Sequence, residues 1–121
     1  MTKPIAGRRV LILEDEYVIA SEMERWLIKA GASVIGPYAD VAGALTAFEG
    51  EAPEVDAAVL DINLGRAGTA YPVARRMDAL HVPYVFATGN NLDADDKAFL
   101  GRPRLEKPVS ERSLIRALEE L

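Results

Sequence analysis

Residues 57–60, Ala-Ala-Val-Leu, run without polar alternation straight into Asp61. An unbroken apolar run of that kind marks a strand covered on both faces, the condition of a strand inside a parallel sheet. Such sheets carry helices on both sides and gather ligands in the crevice past the carboxyl ends of their strands. Asp61 therefore stands where a strand of this type delivers chemistry. Aspartate is also common at turns and caps, so alone it would as readily open a turn. The other strand ends decide between the two.

Residues 8–13 predict the first strand, through Val10, Leu11, Ile12 and Leu13, ending at Glu14-Asp15-Glu16. Val18, Ile19, Met23, Trp26, Leu27 and Ala30 then recur at helical spacing, with Met23 and Trp26 expected in the core and Gly31 at the C-terminal cap. Residues 33–36 predict a short second strand that Gly36-Pro37 breaks. Asp40 caps a second helix with Val41, Ala44, Leu45 and Phe48 on its buried face, ended by Gly50 and Pro53. After Asp61, a loop over residues 63–69 leads to a helix with Pro72 in its first turn. There Val73, Ala74, Met77 and Leu80 face inward, and Arg75 and Arg76 form a solvated face.

A fourth apolar strand, residues 84–87, stops at Thr88-Gly89-Asn90-Asn91. Residues 93–100 predict a short, weak helix, expected to be the most mobile element because its apolar surface is small. Residues 102–105 form a poor strand, with Pro103 tolerable only at an edge, and run into Glu106-Lys107-Pro108. Ser110 caps a last helix with Leu114, Ile115, Leu118 and Leu121 inward, and residues 1–7 read as a loose lead-in. Five strands alternating with five helices, at spacings of roughly 25 residues, are the pattern of right-handed βαβ units around a parallel sheet.

A chain of 121 residues, 50% hydrophobic, has apolar material for one core, so residues 1–121 are expected to form a single domain. The net charge of -5 disfavours direct nucleic-acid binding, which needs a basic footprint. Neither a membrane span nor a signal peptide is indicated, and a cytoplasmic location is expected. The absence of cysteine excludes disulfides, thiolate chemistry and Cys/His zinc sites. His81, the single histidine, falls in a turn between elements and is a poor candidate for a phosphate carrier or ligand.

In a parallel sheet all five strands deliver their ends to one edge, which here collects Glu14, Asp15, Asp61, Thr88 and Lys107. Close carboxylates in a partly solvated site repel by about 1–4 kcal/mol per pair, so a positive partner must join them. The donors are all oxygens, which implies a hard cation, Mg²⁺ with several waters rather than a full Ca²⁺ cage. Carboxylates, a hard cation, a hydroxyl and an amine suit a phosphoryl group, with Asp61 as the nucleophile.

In that order and at those strand ends, Glu14-Asp15, Asp61 with Asn63 two residues on, Thr88, and Lys107-Pro108 resemble the receiver domain of response regulators, the CheY-like family. The resemblance spans essentially the whole chain. It implies a flavodoxin-like (βα)5 α/β fold with a five-stranded parallel sheet in the order 2-1-3-4-5 and helices on both faces. It further implies that Asp61 is the phosphoacceptor for a phosphohistidine on a sensor histidine kinase or phosphotransfer protein. Glu14 and Asp15 would be the acidic pair at the Mg²⁺ site, with Asp15 the direct ligand, and Asn63 would offer its backbone carbonyl. Thr88 and Lys107 would grip the phosphoryl oxygens, and Lys107-Pro108 would be a cis peptide. Such a domain is not an enzyme on external substrates and catalyses only its own phosphorylation and dephosphorylation. Phosphorylation would change the surface of the fourth helix, fifth strand and fifth helix for a downstream protein.

One departure stands out. Receivers usually carry Tyr or Phe three residues before the lysine, and here that residue is Arg104. Phe86-Ala87-Thr88-Gly89 is similar to a subgroup, the single-domain Phe-Ala-Thr-Gly receivers, which lack that aromatic and are often paired with HWE-type histidine kinases. Two alternatives stay open: an interaction-only pseudo-receiver, for which the missing aromatic argues, and a small Mg²⁺-dependent phosphohydrolase. Against the latter, Asp61-Ile62-Asn63 lacks a second carboxylate to serve as general acid.

Overall fold

The computed structural model describes residues 3–50, 54–89, 99 and 101–121. The strands are β1 (Arg9–Leu13), β2 (Ser33–Tyr38), β3 (Ala57–Asp61), β4 (Tyr84–Thr88) and β5 (Arg104–Glu106). The helices among the described residues are α1 (Tyr17–Lys29), α2 (Val41–Leu45), α3 (Tyr71–Ala79) and α4 (Glu111–Glu119), with 3₁₀ turns at Thr46–Phe48 and Gly65–Ala67. The strands form one parallel sheet in the order β2-β1-β3-β4-β5, the flavodoxin-like arrangement expected from the sequence. The helix expected over residues 93–100 falls, except for Phe99, outside the described residues.

Every residue of β3 and β4 is buried, as their unbroken apolar runs require. Side chains alternate across the sheet and feed two cores. On one face Leu11, Leu60 and Phe86 meet Phe48, Met77 and Phe99. On the other, Val10, Ile12 and Val59 meet Met23 and Leu27 of α1 and Leu114 and Leu118 of α4. Asp40 caps α2 by accepting the Gly43 N–H at 2.7 Å, and Ser110 caps α4 through a reciprocal pair with Ser113. No helix among the described residues is long and apolar enough to cross a membrane.

Four expectations need correction. Val18 is 71% exposed, because it lies roughly 140° around α1 from Met23 and thus off the stripe that Ala20, Met23 and Leu27 bury. Trp26 is only partly buried, packed against the edge of the core. Strand β2 continues through Gly36-Pro37 instead of stopping there. Its pairing steps from Leu11↔Ile35 to Leu13↔Tyr38, three residues against two, so the bulge absorbs the break. The lead-in is anchored too: Ile5 is buried and the Lys3 N–H donates to the Glu119 carbonyl at 2.7 Å. Arg75 and Arg76 are exposed, as expected, and the Arg75 guanidinium carbon lies 5.6 Å from the centre of the Phe99 ring.

Candidate functional site

Parallel pairing brings the carboxyl ends of β1, β3, β4 and β5 to one edge of the sheet. Glu14 follows β1, Asp61 closes β3, Thr88 closes β4 and Lys107 follows β5. The Glu14 N–H donates to the Tyr38 carbonyl, the Ile62 N–H to Ala87 and the Lys107 N–H to Thr88, so each strand exit is tied to its neighbour. Side chains presented from these exits are held by backbone pairing rather than by loops alone. Lys107-Pro108 is a cis peptide, as expected, and Gly36-Pro37 is a second one.

Glu14 and Asp61 are buried, at 2% and 3% exposure, while Asp15 is exposed. One carboxylate oxygen from each of the three lies within 4.8 Å of the others, a spacing suited to a shared cation. The Lys107 ammonium bridges two of the three, 2.9 Å from Glu14 Oε2 and 3.0 Å from Asp61 Oδ2. It donates a directed hydrogen bond to Asp61, whereas Glu14 Oε2 is paired by charge without a well-directed one. Glu14 Oε1 accepts the Glu16 N–H at 3.1 Å.

These groups set one another's protonation. Burial pushes the Asp61 carboxyl up to about 7, and the neighbouring Glu14 adds to the rise, with Lys107 pulling the other way. Burial works to lower Lys107, but Glu14 and Asp61 outweigh it and leave the ammonium above its ordinary value. The pocket thus holds more negative charge than one lysine balances. That surplus, the oxygen-only donor set and the half-satisfied Glu14 oxygen together fit a divalent cation.

An open cleft of about 330 Å³ lies over this cluster. Asp15, Asp61, Asn63, Thr88 and Lys107 line it, so five of the six expected site residues face one space, and the sixth, the buried Glu14, is joined to it through its ion pair with Lys107. Asn63 Oδ1 is used locally, accepting the Gly65 N–H at 2.9 Å, and Asn63 bridges to Thr69. Gly65 turns there at φ +63°, and a Cβ on it would come within 3.6 Å of Asp15 Oδ2, so the loop after β3 closes against the acidic pair. His81 lies away from this cleft, in a turn before β4, as expected. Arg104 also lines the cleft. The sequence marks it only as a replaced aromatic; its place beside the edge that carries Asp61 and Thr88 follows from the β4–β5 pairing of Phe86 with Arg104 and Thr88 with Glu106.

No family model matches the sequence. The regulator of RpoS from Escherichia coli K12 is 31% identical over 122 residues, covering 98% of this chain but 35% of that relative. The chain therefore spans about a third of the length of the curated relatives it matches. Among solved structures, SdrG from Sphingomonas melonis Fr1 is 38% identical, with a TM-score of 0.77 and 93% of both chains covered. A response regulator receiver protein from Sinorhizobium medicae WSM419 is 28% identical, with a TM-score of 0.76, covering 94% of this chain and 93% of that one.

Proposed function

Since the chain belongs to the CheY-like receiver family of response regulators, we propose that it is a phosphorylation switch whose acceptor is Asp61. The donor is a phosphohistidine on a sensor histidine kinase or a phosphotransfer protein in the cytoplasm. An Asp61 oxygen attacks phosphorus as the P–N bond breaks, and the electron pair leaves with the imidazole nitrogen, which takes a proton. Lys107 shifts from the carboxylates to the transferred oxygens, and the Thr88 hydroxyl donates to one of them. Glu14, Asp15 and Asp61, with the Asn63 backbone carbonyl, would hold Mg²⁺, which when bound neutralises charge that repels an incoming phosphoryl group.

The observation that carries this proposal is the Lys107 ammonium, 2.9 Å from Glu14 and 3.0 Å from Asp61, at the floor of an open cleft. A cation gripping two carboxylates is poised to exchange one of them for a phosphoryl oxygen. The chain acts on no external substrate and passes its signal by binding a downstream protein. Phe86-Ala87-Thr88-Gly89 supports the stand-alone Phe-Ala-Thr-Gly subgroup, with an HWE-type kinase as donor. Incubation with acetyl phosphate and Mg²⁺ should add one phosphoryl group per chain by intact mass, and Asp61→Ala should add none. Equal uptake by the two proteins would remove Asp61 from the role.

The pseudo-receiver reading draws on Arg104, which removes the ring that usually couples the phosphoryl site to the surface. A pseudo-receiver would give no saturable Mg²⁺ response that depends on Asp15, which separates it from the switch.

A further inference from the structure

We propose that Arg104 is a binding residue for the phosphorylated state, a guanidinium that pairs with the phosphoryl oxygens in the cleft. This rests on Asp61 being the acceptor. Arg104 is partly buried, lines the same cleft as Asp61, Thr88 and Lys107, and has no carboxylate ion-pair partner among the described residues. That sets it apart from Arg9 and Arg102, which are paired with Asp56 and Asp78. What singles Arg104 out is its place: an uncommitted basic side chain in the wall of the cleft that holds Asp61, Thr88 and Lys107, where an anion brought to Asp61 would meet it.

Charge balance points the same way. In the phosphorylated state Glu14 and Asp15 bring two negative charges and the phosphoryl group about two more. A divalent cation and Lys107 offset three of these. Arg104 supplies the fourth, and its planar fork suits two phosphoryl oxygens at once, which a point charge would not. The register supports the reach: Arg104 pairs with Phe86, two residues or roughly 7 Å before Thr88 along the strand, a span an extended arginine can cross. Where an aromatic ring would report the phosphoryl group by moving into vacated space, this chain would report it by charge.

The test is titration of beryllium fluoride, as phosphoryl mimic, into the full chain at fixed Mg²⁺, read by the amide shifts of Gly65 and Lys107. Arg104→Gln should weaken binding about tenfold, consistent with loss of one charge-assisted pair. Arg104→Lys, which keeps the charge but not the fork, should recover only part of the affinity, and the gap between parent and Arg104→Gln should shrink as salt rises. Circular dichroism of both variants checks that this edge strand still folds. Equal affinity of parent and Arg104→Gln, with Asp61 still phosphorylated by acetyl phosphate, would overturn the role of Arg104 alone. Failure of the parent itself to take up either the mimic or a phosphoryl group would overturn the role of Asp61 and this one with it.

Discussion

Asp61 is held where burial disfavours its charged form, a cost to the fold. With burial and Glu14 driving its carboxyl up to about 7, the folded chain binds a proton there that the unfolded chain has already lost. The sign follows: the support this group gives the fold is full below the ordinary carboxylate range and is lost as pH rises through about 7. In EDTA, the urea midpoint of the parent should therefore fall as pH rises from about 5 to about 8, most of the fall coming before the carboxyl is fully ionised above about 7. Asp61→Asn should flatten that fall and be about 1–2 kcal/mol more stable than the parent at the alkaline end, because a neutral amide removes the repulsion. Mg²⁺ should rescue the parent more at the alkaline end than at the acid end. A variant whose stability falls as steeply as the parent's would place the titration on another group.

At the scale of elements, what the sequence made legible and what it hid divide by the range of the contacts involved. Strands β1, β3 and β4 announce themselves because all-round burial leaves no polar residue in the run, and the caps at Asp40 and Ser110 are local hydrogen bonds. Gly36-Pro37 looks like a stop because the bulge that carries β2 onward exists only against β1. The lead-in looks idle because a partner that anchors it, the Glu119 carbonyl, comes from the far end of the chain. The site was legible almost whole, since parallel strands must bring their ends together once their number is known. Arg104 was not, because its neighbours depend on which strand β5 pairs with. Gly36 gives a direct test of the bulge: it sits at φ +97°, and an added Cβ would lie 2.7 Å from the Tyr38 nitrogen. Gly36→Ala should cost about 2–3 kcal/mol in urea unfolding. Gly50→Ala, at φ +110° with no atom near the added Cβ, should cost about 1 kcal/mol. Equal losses would mean that strain alone, and not the close approach to Tyr38, makes glycine necessary in β2.

The described residues form one sheet with a core on each face, and among them the two cores share no side chain: Met77 packs on one side, Leu118 on the other, both fully buried. Their common wall is the sheet, whose central strands contribute alternate residues to each face. A shared wall this thin makes the cores separate in packing yet bound in cooperativity, since neither face of β3 can stay dry if the other is lost. Met77→Ala and Leu118→Ala should each cost about 2–5 kcal/mol, and the double variant should show their sum within about 0.5 kcal/mol, because the cavities lie on opposite sides of the sheet. Unfolding should nonetheless remain a single transition. Trp26, packed against the core that contains Leu118, reports that face alone, whereas far-ultraviolet circular dichroism reports every helix. In Leu118→Ala the two signals should still change at the same urea concentration. If Trp26 fluorescence changed first, the α1–α4 face would open by itself, and β1 with its acidic exit could loosen while β3, which carries Asp61, stayed folded.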